Sequence, residues 1–157
     1  LDLLDIKKAI NTILKNSFPT VTLFANEVEE GFDKPAFFTQ LIPVSLNYET
    51  VNFMNVRLMV VINYYTRVSV EVDNLKMAGD LKKAFGMALE VKYTYLKDAK
   101  TVNAARYLKL ENITTDYPDR ILQFKFDLNY LQNVEKIDNH ELMLELHTEM
   151  VNIEKRG

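Results

Sequence analysis

Leu3, Ile6, Ile10, Ile13 and Leu14 recur at the three- and four-residue spacing that lines up side chains along one side of a helix. Asp2 or Asp5 can cap the first turn, and Phe18-Pro19 stops the helix, because the residue before a proline avoids helical geometry. The pattern predicts an amphipathic helix over 3–17. A short strand is expected over 21–28, followed by a turn-prone acidic run over 29–35. Residues 36–42 read as extended, Pro43 interrupts the ladder and implies an edge or a bulge, and Val44, Leu46 and Tyr48 then alternate with Ser45, Asn47 and Glu49.

The strand that follows is better marked. Val56, Leu58, Val60, Ile62 and Tyr64 put five large apolar side chains on one face by the two-residue period, and the opposite face, Arg57, Met59, Val61, Asn63 and Tyr65, is mixed. From Asp73 as a cap, Ala78, Leu81, Phe85, Ala88 and Leu89 predict a second helix running to Glu90. Gly79 and Gly86 fall inside that span, seven residues apart on nearly one side. Each costs about 1 kcal/mol relative to Ala in a helix interior, so close backbone packing is expected to offset them.

Residues 92–100, with Tyr93 and Tyr95, read as a polar connection, 106–113 as a strand and 116–119 as a turn. Leu122, Phe124, Phe126, Leu128 and Tyr130 then alternate with Gln123, Lys125, Asp127 and Asn129, the cleanest strand in the chain. Strands with one polar and one apolar face point to an antiparallel sheet covered on one side. The expected fold class is therefore α+β, a mainly antiparallel sheet with two amphipathic helices packed on one face and a C-terminal arm. Residues 1–137 form the domain and 138–157 the arm, where Leu142, Leu144 and Leu146 alternate like a strand while Leu142, Leu146 and Met150 repeat like a helix. The extended reading is preferred there.

Composition narrows the function classes. A chain of 157 residues is the usual size of one domain, and 48% apolar with 26% charged residues is close to the globular average. The net charge of -3 is spread along the chain, and no cluster of Lys and Arg is present to neutralise phosphates, so nucleic acid is disfavoured as a bound partner. The absence of Cys removes disulfides and thiolate sites and fits an intracellular origin. The strongest apolar stretch, 58–62 with its flanks, is far shorter than the roughly 20 residues of a membrane helix, and the first residues carry no signal-peptide pattern. No membrane partner is expected.

Candidate chemistry is sparse. His140-Glu141 is followed by Leu144 where a zinc-protease helix needs its second His, and His140 and His147 alone make no metal site. Neither Gly-Lys-Ser nor Gly-Lys-Thr occurs. Ser17, Ser45 and Ser69 lack a nucleophile-elbow context, and Glu27, Glu29, Glu30 and Asp33 beside Gly and Pro read as a solvated turn rather than an acid/base pair. The aromatic residues Phe124, Phe126 and Tyr64 fall on predicted core faces and not on a base-stacking platform. No catalytic residue, metal ligand or cofactor is expected, and the mixed outer face with an apolar arm suits a part that joins its neighbours.

The order helix, strand, then Val28-Glu29-Glu30-Gly31-Phe32-Asp33-Lys34-Pro35-Ala36-Phe37-Phe38, with the later strand ending Asn63-Tyr64-Tyr65 and the helix around Leu81 and Phe85, resembles the tail terminator (tail completion) proteins of Gram-positive phages and phage-like contractile particles. The resemblance covers about residues 3–132. It implies a structural protein that forms a hexameric ring on the head-proximal end of the tail tube, ends tube polymerisation and joins the tail to the neck or collar. Its partners would be copies of itself, the tube protein, and sheath and neck proteins, in a particle tail assembled in the host cytoplasm, with DNA passing through unbound. The turn residues Glu29, Glu30, Phe32 and Asp33 and the arm residues Leu142, Leu144 and Leu146 are the expected subunit or tube contacts. A neck connector ring is the nearest alternative, and a small oligomeric enzyme with a site between subunits, or a peptide-binding module using a sheet edge, lies further off.

Overall fold

The structure, a computed structural model, describes residues 1–24, 31–67 and 71–134. Helix α1 is Leu3–Ser17, followed by strands β1 (Thr22–Phe24), β2 (Ala36–Tyr48) and β3 (Phe53–Tyr65), helix α2 (Glu71–Phe85), strands β4 (Ala88–Lys97) and β5 (Lys100–Asp116), a 3-10 turn at Pro118–Arg120, and β6 (Leu122–Asn133). The six strands form one sheet in the order β1-β2-β3-β6-β5-β4. Every neighbouring pair is antiparallel except the short β1–β2 pair, which is parallel. The α+β fold expected from the alternation is the fold observed.

Local chemistry explains where α1 starts and stops. The Asp2 carboxylate accepts the Leu4 N–H at 3.2 Å and the Asp5 carboxylate accepts the Asp2 N–H at 2.9 Å, a reciprocal cap that satisfies donors the helix leaves open. Phe18, before Pro19, ends it. The buried side of α1, Ile6, Ile10 and Leu14, meets the even-numbered face of β3, Val56 to Tyr64, and the even-numbered face of β6, Leu122 to Tyr130. Phe85 of α2 lies 5.4 Å from the Phe126 ring and 6.1 Å from the Phe124 ring. Burying each Leu, Ile or Phe stabilises the fold by about 1.5–3 kcal/mol, and the layer between sheet and helices holds most of the described core.

Four expectations need correcting. The second helix stops at Phe85 rather than Glu90, because Gly86 adopts φ +61°, the left-handed conformation that ends helices, with its N–H on the Lys82 carbonyl at 3.0 Å. Leu89 and Val91 then bury themselves as alternate residues of β4. The same helix begins at Glu71, with Asp73 inside its first turn rather than at its cap. Close packing does not explain Gly79, since an added Cβ would meet nothing within 4 Å; the helix is held by its Leu81 and Phe85 contacts instead.

Residues 92–100 are not a connection. They complete β4 and turn through Asp98 (φ +50°) and Ala99 (φ +60°) into β5, a two-residue hairpin loop of the kind whose twist matches the strands it joins. Pro43 sits where an edge or a bulge was expected: a register shift between Pro43 and Ser45 absorbs it within a continuous strand whose outer side has no described partner there. The expected strand over 21–28 is described only as Thr22–Phe24. The remainder of that span, and the C-terminal arm, lie outside the described residues.

Candidate assembly interface

β1 pairs only with Ala36, Phe37 and Phe38, so the outer edge of β2 from Thr39 onward meets no described strand. Along this edge Val44 and Tyr48 are exposed, Tyr48 by 72%, and Ile42, Leu46, Val51 and Phe53 extend the apolar surface around the end of the β2–β3 hairpin. Apolar side chains beside unpaired backbone make a surface suited to docking another chain. Thr50 ties that hairpin end, its hydroxyl accepting the N–H groups of Asn52 and Phe53 at 3.2 Å each.

The other end of the sheet differs in character. β5 pairs with β6 only between Leu110 and Asp116, so its first ten residues pair with β4 alone and the β4–β5 hairpin separates from the end of β6. Arg106 spans the gap, donating to the Leu131 carbonyl at 2.6 Å and stacking over the Tyr130 ring at 5.5 Å. Burial pushes the Tyr130 phenol up to about 12, against the pull of the Arg106 charge. Between the hairpin, the start of α1 and the far ends of β3 and β6 lies an open groove of about 1000 Å³, floored by Leu46, Met54 and Val56 and walled by Tyr93 and Tyr95.

The face of the sheet away from the helices carries two further features. Asp127, buried there, accepts from Asn112 at 2.9 Å and from Arg57 at 3.0 Å. The Asn112 hydrogen bond, followed by the Arg57 contact, holds its carboxyl below the ordinary carboxylate value despite burial. Asn112 reaches it from a β-bulge, where its φ is +50°. At the β1 end, Phe24, Phe32, Phe38 and Tyr65 form an aromatic cluster with ring centroids 5.0–6.0 Å apart. Arg67 Nε donates to the Lys34 carbonyl at 2.6 Å, and the Lys34 ammonium sits 5.6 Å from the Phe32 ring, so the segment after Gly31 is pinned to the sheet.

The candidate contact residues read from the sequence therefore separate. Phe32 is half-buried in the aromatic cluster, and Asp33 beside it is exposed. Glu29, Glu30, Leu142, Leu144 and Leu146 lie outside the described residues. Sequence reading missed the β4–β5 hairpin surface, although Tyr93 and Tyr95 alternating ahead of Asp98-Ala99 is a hairpin signal. Among the described residues no group of three or more His, Asp or Glu is placed to hold a metal ion, and no helix is long and apolar enough to cross a membrane.

A family profile described as Phage tail terminator protein matches residues 5–140. The chain belongs to the phage tail terminator family. No curated protein matches it. A tail terminator is a structural tail component that associates with other tail proteins, and it is not an enzyme.

Proposed function

We propose that this tail terminator closes into a hexameric ring on the head-proximal end of the tail tube, ends tube polymerisation there, and offers its other face to neck or collar proteins. The observation that carries the reading is the unlikeness of the two outer edges of the sheet: an apolar unpaired β2 edge at one, and the β4–β5 hairpin with exposed Lys92, Lys97, Lys100 and Lys109 at the other. A contact between two different patches of identical subunits is heterologous, and it makes a ring when the rotation per step closes. A ring built this way has two unlike faces, so one can match the tube while the other does not continue it. Glu29, Glu30, Phe32 and Asp33 at the turn, and Leu142, Leu144 and Leu146 in the arm, are the residues assigned to subunit or tube contacts. The mild net charge of -3 suits a channel that lets DNA pass without holding it.

Negative-stain electron microscopy of the purified full-length chain, with and without the tube protein, tests this. Sixfold rings that cap one end of short tubes are expected. Tubes that grow equally long with and without the chain would remove the termination role.

A further inference from the structure

The groove beside the β4–β5 hairpin is apolar where it lies open. Leu46 on its floor and Tyr95 on its wall stay 50% and 44% exposed, beside Met54, Val56 and Tyr93. Among the described residues its charged side chains are Asp2, Asp5 and Arg106, and all three are engaged: the two carboxylates cap α1, and Arg106 donates to the Leu131 carbonyl. An occupant that fits turns apolar side chains inward and keeps its charges outward.

The chain leaves the described domain inside this groove. Val134, the last described residue, lines it and is tied by its N–H to the Asn52 carbonyl at 2.9 Å. The turn-forming pair Asp138-Asn139 follows, and after it Leu142, Leu144 and Leu146 alternate with Glu141, Met143 and Glu145. In an extended chain this stretch turns three leucines to one side and both glutamates to the other. We infer that residues 141–146 lie in the groove of their own chain as a strap, the leucines on Leu46, Met54 and the two tyrosines. The glutamates then face solvent, away from Asp2 and Asp5.

Reach decides between this chain and another. The floor from β6 to β2 is two strand spacings wide, about 10 Å, and the eight residues from Val134 to Leu142 extend at most about 28 Å. The same groove on a touching copy is one domain width away, about 35 Å, which is beyond that reach. So short a tether also holds the leucines near the groove at an effective concentration on the order of millimolar, and a segment of another protein has to bind more tightly to displace them. Those leucines are assigned above to neighbour or tube contacts. The strap describes the chain before such contacts form, does not rest on the ring reading, and has to lift for them to be made.

The chain has no cysteine, so an introduced pair reports a single contact. The full chain alone, carrying Tyr95→Cys with Leu144→Cys or Leu46→Cys with Leu146→Cys, is oxidised and run on denaturing, non-reducing gels. A link at monomer mass is expected from both, with a yield unchanged by dilution. Tyr107→Cys with Leu144→Cys controls for reach alone: Tyr107 is exposed on the opposite face of the hairpin from Arg106, and its link should be at least fivefold scarcer. In a single Leu46→Cys variant, thiol labelling should speed up at least fivefold when Leu142→Ser, Leu144→Ser and Leu146→Ser are added. A ladder of linked copies overturns the inference, as do equal yields at Tyr95 and Tyr107, or labelling that the serines leave unchanged. Ring formation, followed separately by light scattering, bears on the ring reading alone, because a link at monomer mass reads the same in a monomer and in a ring.

Discussion

Arg57 and Asp127 sit diagonally across the β3–β6 pair, and the Arg57 guanidinium donates to the Asp127 carboxylate at 3.0 Å while Asn112 donates to the same oxygen. Asp127 thus links three strands on the face the helices leave uncovered. Because its carboxyl is held below the ordinary value of 3.8 in the folded state, its contribution is complete above the pH at which it titrates when unfolded. The contribution disappears as pH falls through the lower folded value. Asp127→Asn is expected to cost about 1–2 kcal/mol at pH 7, and that gap from the parent chain should close in urea titrations carried below pH 3.8. A gap that stays constant to pH 3 would show that the charge contributes nothing.

Ala99 occupies a left-handed turn position, with φ +60°, that costs an L-residue about 1–2 kcal/mol and costs glycine little. Glycine gives back part of this through the freedom of its unfolded backbone. Ala99→Gly should therefore stabilise the protein by about 0.5 kcal/mol in denaturant unfolding, and it should tighten the hairpin tip, seen as slower amide exchange at Leu96 and Thr101.

The two glycines of the α2 region should respond with opposite sign. Gly79 is interior to the helix with open space where a Cβ would go, so Gly79→Ala is expected to stabilise by about 0.5–1 kcal/mol. Gly86 is also uncrowded but adopts φ +61°, so Gly86→Ala should destabilise by about 1 kcal/mol. Thermal unfolding of the pair distinguishes conformational cost from crowding; losses of equal size would contradict the account.

Phe32 and its neighbour Asp33 separate folding from assembly. Phe32→Ala removes one ring from the cluster with Phe24, Phe38 and Tyr65, and because the ring is only half-buried the expected loss is about 2 kcal/mol, below the range for fully buried phenylalanines. Asp33→Ala, at an exposed position, should stay within about 0.5 kcal/mol of the parent. If Asp33 touches a neighbour or the tube, its variant changes ring or cap formation while stability holds, which microscopy and denaturation together can read.

Periodicity alone determined much of the fold. Helix α1 was legible to its last residue because capping, apolar spacing and the Phe18-Pro19 stop all act within a few residues of one another. The two-residue alternation through Val56 to Tyr64 and Leu122 to Tyr130 likewise fixed which faces are core, since a strand buried on one side has little freedom in what it alternates. Failures came where local signals conflicted. Ala88 and Leu89 continue the helical spacing of Leu81 and Phe85, and only the left-handed turn at Gly86 sends them into β4.

Tertiary structure alone decided which surfaces are left open. That the β2 edge has no described partner past Phe38, that β5 leaves β6 beyond Leu110, and that Tyr93, Tyr95 and Arg106 share one wall of a groove all depend on pairings between residues far apart in the chain. A local pattern states which side chains want cover. The pairing order of distant strands states which of them receive it, and so where another chain can bind.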